Sequence, residues 1–243
     1  MDDEYLFVSD CHLDTNRQDI TIAFIGFLQN RAKNARFLYV LGDLFDVWVG
    51  DDDSAHGHTE VFRCLKDLSR STQIFFLAGN RDFLLGDQAA AQMGISIIRE
   101  PVTLLLGKQK TGLLHGDLLC TDDTSYQQFR KIVRDPAWQH DFLMKPLVER
   151  KQIASNLREQ SRNTLQHKSM AIMDVNQQTV TQYFTEIGIQ VMIHGHTHQP
   201  AVHQYENNLT RFVLGDWDPK PSYLSWRQSQ GFMLTDHRVD GPV

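Results

Sequence analysis

Seven side chains in five short clusters carry the chemistry open to this chain: Asp10 with His12, Asp43, Asn80, His115, and His196 with His198. They offer nitrogen and oxygen donors and no thiolate. That is too many for one transition ion and suits two, with a carboxylate such as Asp43 shared between them. A mixed imidazole and carboxylate set favours manganese, iron or zinc. Two such ions roughly 3.5 to 4 Å apart can bridge a hydroxide and hold a phosphoryl group for in-line attack, so the reaction class is hydrolysis of a phosphate ester or anhydride. Taken singly the signals are weak, since Asp-x-His and His-x-His arise by chance and Gly79-Asn80 also reads as a turn. Their order and placement give them weight.

Each cluster follows an apolar run. Phe37-Leu38-Tyr39-Val40-Leu41 stops at Gly42-Asp43, and Tyr5-Leu6-Phe7-Val8-Ser9 leads into Asp10. Ile74-Phe75-Phe76-Leu77 precedes Asn80, Thr111-Gly112-Leu113-Leu114 precedes His115, and Ile189 to Ile193 precedes the last histidines. Short continuous runs of this kind read as strands buried on both faces, and ligands of α/β sheets gather at the carboxyl ends of strands. Helical spacing fills the gaps at Ile20 to Ala35, Thr59 to Leu68, and around Ala89, Ala90 and Met93. Strand alternating with helix predicts a mostly parallel sheet flanked by helices, and Ile95 to Gly107 moves toward a second sheet.

The pattern changes after His115. From Tyr126 to about Lys168 the apolar positions are helical but interrupted by Pro136 and Pro146, which predicts an insertion of short helices over the ligand-bearing end of the sheet. A further helix, Ile172 to Ile187, returns the chain to the last cluster. At 243 residues we read a single domain, 1–243, with the insertion at about 123–170.

The net charge of -6 argues against general nucleic-acid binding. Ser125 to Lys168 holds nine basic and four acidic residues, so this segment is locally +5 and the remainder about -11. That polarity fits a carboxylate-lined metal centre elsewhere in the chain. The opening Met1-Asp2-Asp3-Glu4 lacks the basic start of a signal peptide, and no apolar run approaches a membrane span. The expectation is a cytoplasmic protein that at most touches a membrane from that side, with no obligate protein partner evident. Cys11, Cys64 and Cys120 show neither paired nor metal-knuckle spacing, which fits a reducing compartment. Cys11 is expected as a buried filler turned away from Asp10 and His12.

Asp10-x-His12, Gly42-Asp43, Gly79-Asn80, His115-Gly116-Asp117 and Gly195-His196-Thr197-His198 resemble the five motifs of the calcineurin-like metallophosphoesterases, over nearly the whole chain. The resemblance implies an α/β sandwich of two mixed sheets flanked by helices, with a helical lid insertion and a binuclear site. By position it assigns Asp10, His12 and His198 to one metal, Asn80, His115 and His196 to the other, and Asp43 to both.

One departure narrows the chemistry. Most of that family have histidine after Gly-Asn, where this chain has Arg81. Arginine cannot donate a proton usefully, but its planar fork binds phosphate oxygens well. The leaving group should therefore need little protonation, as a phosphate monoester does and an alkoxide does not, which points to a pyrophosphate.

With Gly50-Asp51-Asp52-Asp53, Cys120-Thr121-Asp122-Asp123 and Ala171-Ile172-Met173-Asp174-Val175-Asn176, this departure is similar to the branch that cleaves UDP-2,3-diacylglucosamine in lipid A biosynthesis. That resemblance implies hydrolysis to UMP and 2,3-diacylglucosamine 1-phosphate, with two manganese ions as cofactor. It makes Asp43, Asn80, Arg81, His115 and His196 the catalytic set, and Asn80, Arg81, Asp123, Ser161, Lys168 and His196 the substrate contacts. Leu165 stands where that branch often has asparagine. Arg158 joins the contacts because Arg158, Ser161, Leu165 and Lys168 fall near one helical face, able to grip a sugar phosphate beside apolar residues that receive acyl chains. Trp138, Phe142, Leu143 and Leu147 read as lid core or acyl-pocket wall. A basic amphipathic lid would be drawn to anionic headgroups, so peripheral contact with the cytoplasmic side of the inner membrane is expected. The rival readings are another binuclear metallophosphoesterase, such as a nucleotide phosphodiesterase or phosphoprotein phosphatase, and a noncatalytic metal-stabilised scaffold.

Overall fold

The computed structural model describes residues 2–53, 57–165 and 174–239. Strands β1 (Tyr5–Val8), β2 (Phe37–Leu41), β3 (Gln73–Leu77) and β4 (Ser96–Ile98) run parallel in that order, and β10 (Tyr223–Arg227) and β11 (Gly231–Thr235) extend the sheet antiparallel beyond β1. A second sheet, in the order β5-β6-β7-β9-β8, is built from β5 (Val102–Leu106), β6 (Gln109–Leu113), β7 (Val191–His194), β8 (Ala201–Tyr205) and β9 (Leu209–Val213). Its inner three strands are parallel and its edges antiparallel.

The continuous apolar runs follow from this layering. Along β1, β2 and β3 alternate residues serve opposite cores: Leu6, Val8, Leu38, Val40, Ile74 and Phe76 face the outer helices, while Phe7, Tyr39, Leu41 and Leu77 face the second sheet. A strand covered on both sides has no solvated face and so needs no polar alternation. Helices α1 (Gln18–Asn30), α2 (Thr59–Leu68) and α3 (Asp87–Met93) cover the first sheet. On the outer face of the second sheet, Met192 packs with Val180 and Phe184.

The crossover from β6 to β7 carries α4 (Thr124–Val133), α5 (Pro136–Leu143), α6 (Leu147–Leu165) and α7 (Gln177–Ile187). The two prolines begin helices here: Pro136 follows the Asp135 cap, whose carboxylate accepts from the Ala137 and Trp138 amides, and Pro146 precedes α6. Proline suits a first turn because its missing N–H has no intrahelical partner there. Trp138, Phe142 and Leu147 join the first core, whereas Leu143 is exposed.

Three boundaries differ from the expectation. The first helix stops at Asn30, and a short 3-10 turn, Ala32–Asn34, completes the segment. The Ile95 to Gly107 stretch divides at Glu100-Pro101, so that β4 still belongs to the first sheet and only β5 to the second. The return helix begins at Gln177 behind the cap Asn176, and residues 172–173 lie outside the described residues.

Candidate metal centre

The loops that follow β1, β2, β3, β6 and β7 meet at one end of the sandwich. Backbone bonds continue the pairing past the strands: Asp10 N–H donates to Gly42 O (3.1 Å), His12 N–H to Asp43 O (2.9 Å) and Gly195 N–H to His115 O (2.8 Å). Seven non-glycine residues have positive φ among the described residues, and five are Asp10 (51°), His12 (46°), Asp43 (53°), His196 (68°) and His198 (56°). The other two, Asn207 and Asn208, are of a type that tolerates this region. A left-handed aspartate or histidine costs roughly 1 kcal/mol or more, so the backbone strain of this fold is concentrated at one place.

All seven clustered side chains are joined by short distances. His12 Nε2 and His198 Nε2 are 3.1 Å apart, and Asp10 Oδ1 lies 3.8 Å from the first and 3.4 Å from the second. Asp43 Oδ2 is 4.0 Å from His12 Nε2 and 3.7 Å from His115 Nε2. Asn80 Oδ1 completes the set at 2.9 Å from both His115 Nε2 and His196 Nδ1. Each carboxylate divides its labour. Asp10 Oδ2 accepts from Ser9 Oγ (2.7 Å) and His196 N–H (2.9 Å), and Asp43 Oδ1 accepts from Arg81 N–H (2.8 Å), which leaves the other oxygen of each for the cleft. Close approach requires glycine alongside: a Cβ on Gly79 would fall 2.1 Å from Asp43 Oδ1, and one on Gly195 2.1 Å from Asp10 Oδ2.

The donor set fits divalent cations. Asp10 Oδ1 is buried without a hydrogen-bond partner, an arrangement that costs about 1–3 kcal/mol unless something positive meets the oxygen. Among the described residues, two groups have ligand atoms close enough to share an ion: Asp10, His12 and His198, and Asp10, Asp43 and His115. The first is the trio expected from the motifs. In the second, Asp10 stands with Asp43 and His115, while His196 is drawn in through Asn80.

The titration of the site has the same logic. Burial pushes His12 down to about 3 and His196 down to about 4, so both imidazoles are neutral with lone pairs to give. Burial also acts on Asp43, and although His115 opposes it, Asp82 and Asp10 add to it and the carboxyl rises to about 7. His115 resists its own burial and reaches about 9 because Asp43, Asp10 and Asp117 surround it. Burial would raise Asp10 too, but His198, His115 and His12 hold it below the ordinary range. Protons on Asp43 and His115 thus stand where a cation's charge would serve.

Other residues shape the site without having been singled out as ligands. Asp82 is fully buried and accepts from the amides of Gly79 (2.9 Å), Asp43 (3.2 Å), Leu44 (2.7 Å) and Phe45 (3.3 Å), locking the β2 and β3 loops together. Asp117 accepts from Tyr126 Oη and Arg130 Nε, both at 2.7 Å, and Arg134 Nη2 donates to Gly79 O at 2.8 Å, which ties α4 to the site. Asp117 closes the His115-Gly116-Asp117 motif and Asp82 follows Gly79-Asn80-Arg81, but a sequence gives no sign that their partners are backbone amides and helix arginines. Behind the imidazoles, His115 Nδ1 is 2.9 Å from Leu41 O, His12 Nδ1 is 3.8 Å from Asp46 Oδ1, and His198 Nδ1 is 3.7 Å from Asp216 Oδ2.

The sequence of residues 4–200 matches the profile of the calcineurin-like phosphoesterases. The chain belongs to that family. This calcineurin-like phosphoesterase is 44% identical over 223 residues to the UDP-2,3-diacylglucosamine hydrolase of Vibrio vulnificus strain YJ016, covering 90% of this chain and 92% of the relative. It is 45% identical over 225 residues to the protein of the same name from Aromatoleum aromaticum, with 91% and 92% covered. Among solved structures, Vacuolar Protein Sorting 29 from Cryptosporidium parvum superposes with a TM-score of 0.52 at 14% identity, covering 100% of this chain and 95% of that one. Yfce, a phosphoesterase from E. coli, gives 0.50 at 16% identity with 99% and 96% covered. These structural likenesses bear on the fold.

The remaining expected contacts of the phosphoesterase lie on or near the insertion. Arg81 Nη1 is 3.5 Å from Asp46 Oδ1, and Arg158 Nη2 on α6 makes an ion pair with Asp46 Oδ2. Asp123 caps α4, with Oδ1 accepting from Tyr126 N–H (3.0 Å) and Ser125 Oγ (2.9 Å). Ser161 is exposed late in α6, and Lys168 lies outside the described residues. The acidic loop after β2 anchors structure: Asp51 accepts from Trp48 and from the Gly86 and Ala89 amides, Asp52 pairs with the buried Arg150, and Asp53 with Lys151. Cys11 is fully buried in the first core.

Proposed function

We propose that this chain hydrolyses the pyrophosphate bond of UDP-2,3-diacylglucosamine, adding water at the α-phosphorus and releasing UMP and 2,3-diacylglucosamine 1-phosphate. The observation that carries the reading is the convergence of seven nitrogen and oxygen donors beside Arg81, in a chain 44% identical to hydrolases named for that substrate. Two divalent cations, Mn2+ in this reading, would be held by Asp10, His12 and His198 and by Asn80, His115 and His196, with Asp43 between them. When bound, such ions lower the pKa of water and offset phosphate charge.

The chain's own residues do the rest. His12 and His196, kept neutral by burial, present lone pairs. Arg81 and Arg158 bring guanidinium forks to the rim of the cleft, and Arg158 Nε is a buried donor without a partner, suited to a phosphate oxygen. The leaving group is itself a phosphate monoester, so cleavage of its bond to the α-phosphorus needs no strong proton donor, consistent with arginine at position 81. We read α4, α5 and α6 as a lid within a single domain.

Its outer parts support a peripheral position on the cytoplasmic face of the inner membrane: Ile132, Leu143, Met144 and Val148 are exposed close in sequence to Lys131 and Lys145. No helix of the described residues is long and apolar enough to cross a membrane. Replacing Met144 and Val148 by glutamate should release the protein from anionic vesicles in a sedimentation assay, and undiminished binding would end the membrane reading.

The enzymatic reading is tested with the purified protein and Mn2+. UDP-2,3-diacylglucosamine should be cleaved faster than a nonacylated UDP-sugar or a phosphopeptide, and in water labelled with oxygen-18 the label should enter UMP. Label in the lipid phosphate, or a preference for the phosphopeptide, overturns it. Arg81→Ala should lower kcat/KM by about 10²-fold with metal content unchanged, whereas unaltered kinetics would remove the leaving-group argument.

A further inference from the structure

Asp46 belongs to none of the expected ligand or substrate sets, yet three functional side chains meet on it. Its Oδ1 lies 3.8 Å from His12 Nδ1 and 3.5 Å from Arg81 Nη1, and its Oδ2 is ion-paired with Arg158 Nη2 on α6. On either side of this carboxylate stands a buried nitrogen with no hydrogen-bond partner: His12 Nδ1 and Arg158 Nε. Buried unsatisfied nitrogens are uncommon, and two flanking one carboxylate call for a common cause.

We propose that Asp46 is a positioning residue shared between the metal centre and the lid, held by Arg158 when the cleft lacks an anion and released toward His12 when a phosphate group takes that arginine. The inference rests on the phosphoesterase reading of the same site. An arginine fork grips a phosphate best through two parallel N–H bonds. In this structure Asp46 has only the Nη2 prong and Nε has nothing. A phosphate bound at both prongs takes Arg158 from Asp46, whose Oδ1 needs to move only about 1 Å to accept a hydrogen bond from His12 Nδ1, given an ordinary bond length near 2.9 Å. With Nδ1 held, the imidazole is fixed in the tautomer whose Nε2 faces Asp10 and Asp43, and its basicity rises. By linkage, phosphate in the cleft then tightens the His12 hold on a cation, and the cation tightens the hold on phosphate by the same factor.

The test is a double-mutant cycle read as Mn2+ affinity, by chelator competition on the full-length protein without substrate. Asp46→Asn should weaken binding about tenfold in the Arg158→Met background, where Asp46 is free to engage His12, and less than threefold in the native background, where Arg158 holds it. Arg158→Met, which frees Asp46, should tighten it three- to tenfold in the native background and change it less than twofold in the Asp46→Asn background. Arg158→Gln serves if the methionine variant does not fold. If the arginine variant leaves Mn2+ affinity unchanged, or tightens it equally in both backgrounds as simple removal of a positive charge would, the proposal is overturned. Because no substrate is present, failure to cleave the nucleotide lipid would end the enzymatic reading and leave this cycle standing, and the converse holds.

Discussion

The two halves of the metal centre are built differently. Around His115 and His196 the support behind one imidazole is a backbone carbonyl, Leu41 O, and the adjoining loops are locked by the fully buried Asp82 and Asp117. Around His12 and His198 the supports are Asp46 and Asp216, whose side chains are 15% and 29% exposed and are themselves held by arginines Arg81, Arg158 and Arg238. A backbone carbonyl at a strand end has one position and no competitor. A partly exposed carboxylate shared among guanidinium groups can be redistributed by an anion. The His115 half thus supplies a fixed frame, while the His12 half responds to what enters the cleft.

The largest blow falls on the residue that belongs to both halves. Asp43→Ala should lower turnover on the order of 10³-fold and reduce bound metal while leaving the melting transition in place, checked by steady-state kinetics, elemental analysis and circular dichroism. A near-normal rate would show that the halves function without their shared carboxylate.

A subtler break enters through the frame itself. Gly79→Ala would set a methyl 2.1 Å from Asp43 Oδ1 and 2.3 Å from its amide nitrogen, both held by rigid loops. Metal affinity should drop by roughly 10–100-fold, the size of other disturbances to ligand orientation. An affinity equal to that of the native protein would mean that the frame yields more readily than its backbone contacts suggest.

The mildest probe is pH. Asp43 is protonated below about 7 and His115 is a cation until about 9, and each proton must leave before the group can serve as a ligand. Mn2+ affinity should therefore rise with pH across this window, by about tenfold per unit for each proton displaced. His12, neutral down to about 3, adds no slope there. A flat profile between pH 6 and 8 would contradict the crowding of charge assigned to the Asp43–His115 half.

The seven clustered residues were legible because each terminates an apolar run, and the physics of a strand buried on both faces makes such runs conspicuous without neighbours. The layered α/β order could be read for the same local reason, whereas Arg81 stood out only against the family that the motifs resemble. Other features depended on who would stand opposite. Asp52 and Asp53 belong to a stretch for which the sequence names no partner, and they hold Arg150 and Lys151 on the insertion. Pro136 and Pro146 looked like interruptions and prove to be helix starts.

The sequence by itself determined which donors exist and that strands deliver them. Only the tertiary structure decided which oxygen of Asp10 and Asp43 faces the cleft, that five of the ligand candidates sit in strained left-handed backbone, and that Asp46 stands between His12 and Arg158. The physical reason is one of range. Burial patterns and strand ends are set by residues adjacent in the chain, whereas a carboxylate's partner can lie more than a hundred residues away, and one ångström decides whether it bonds.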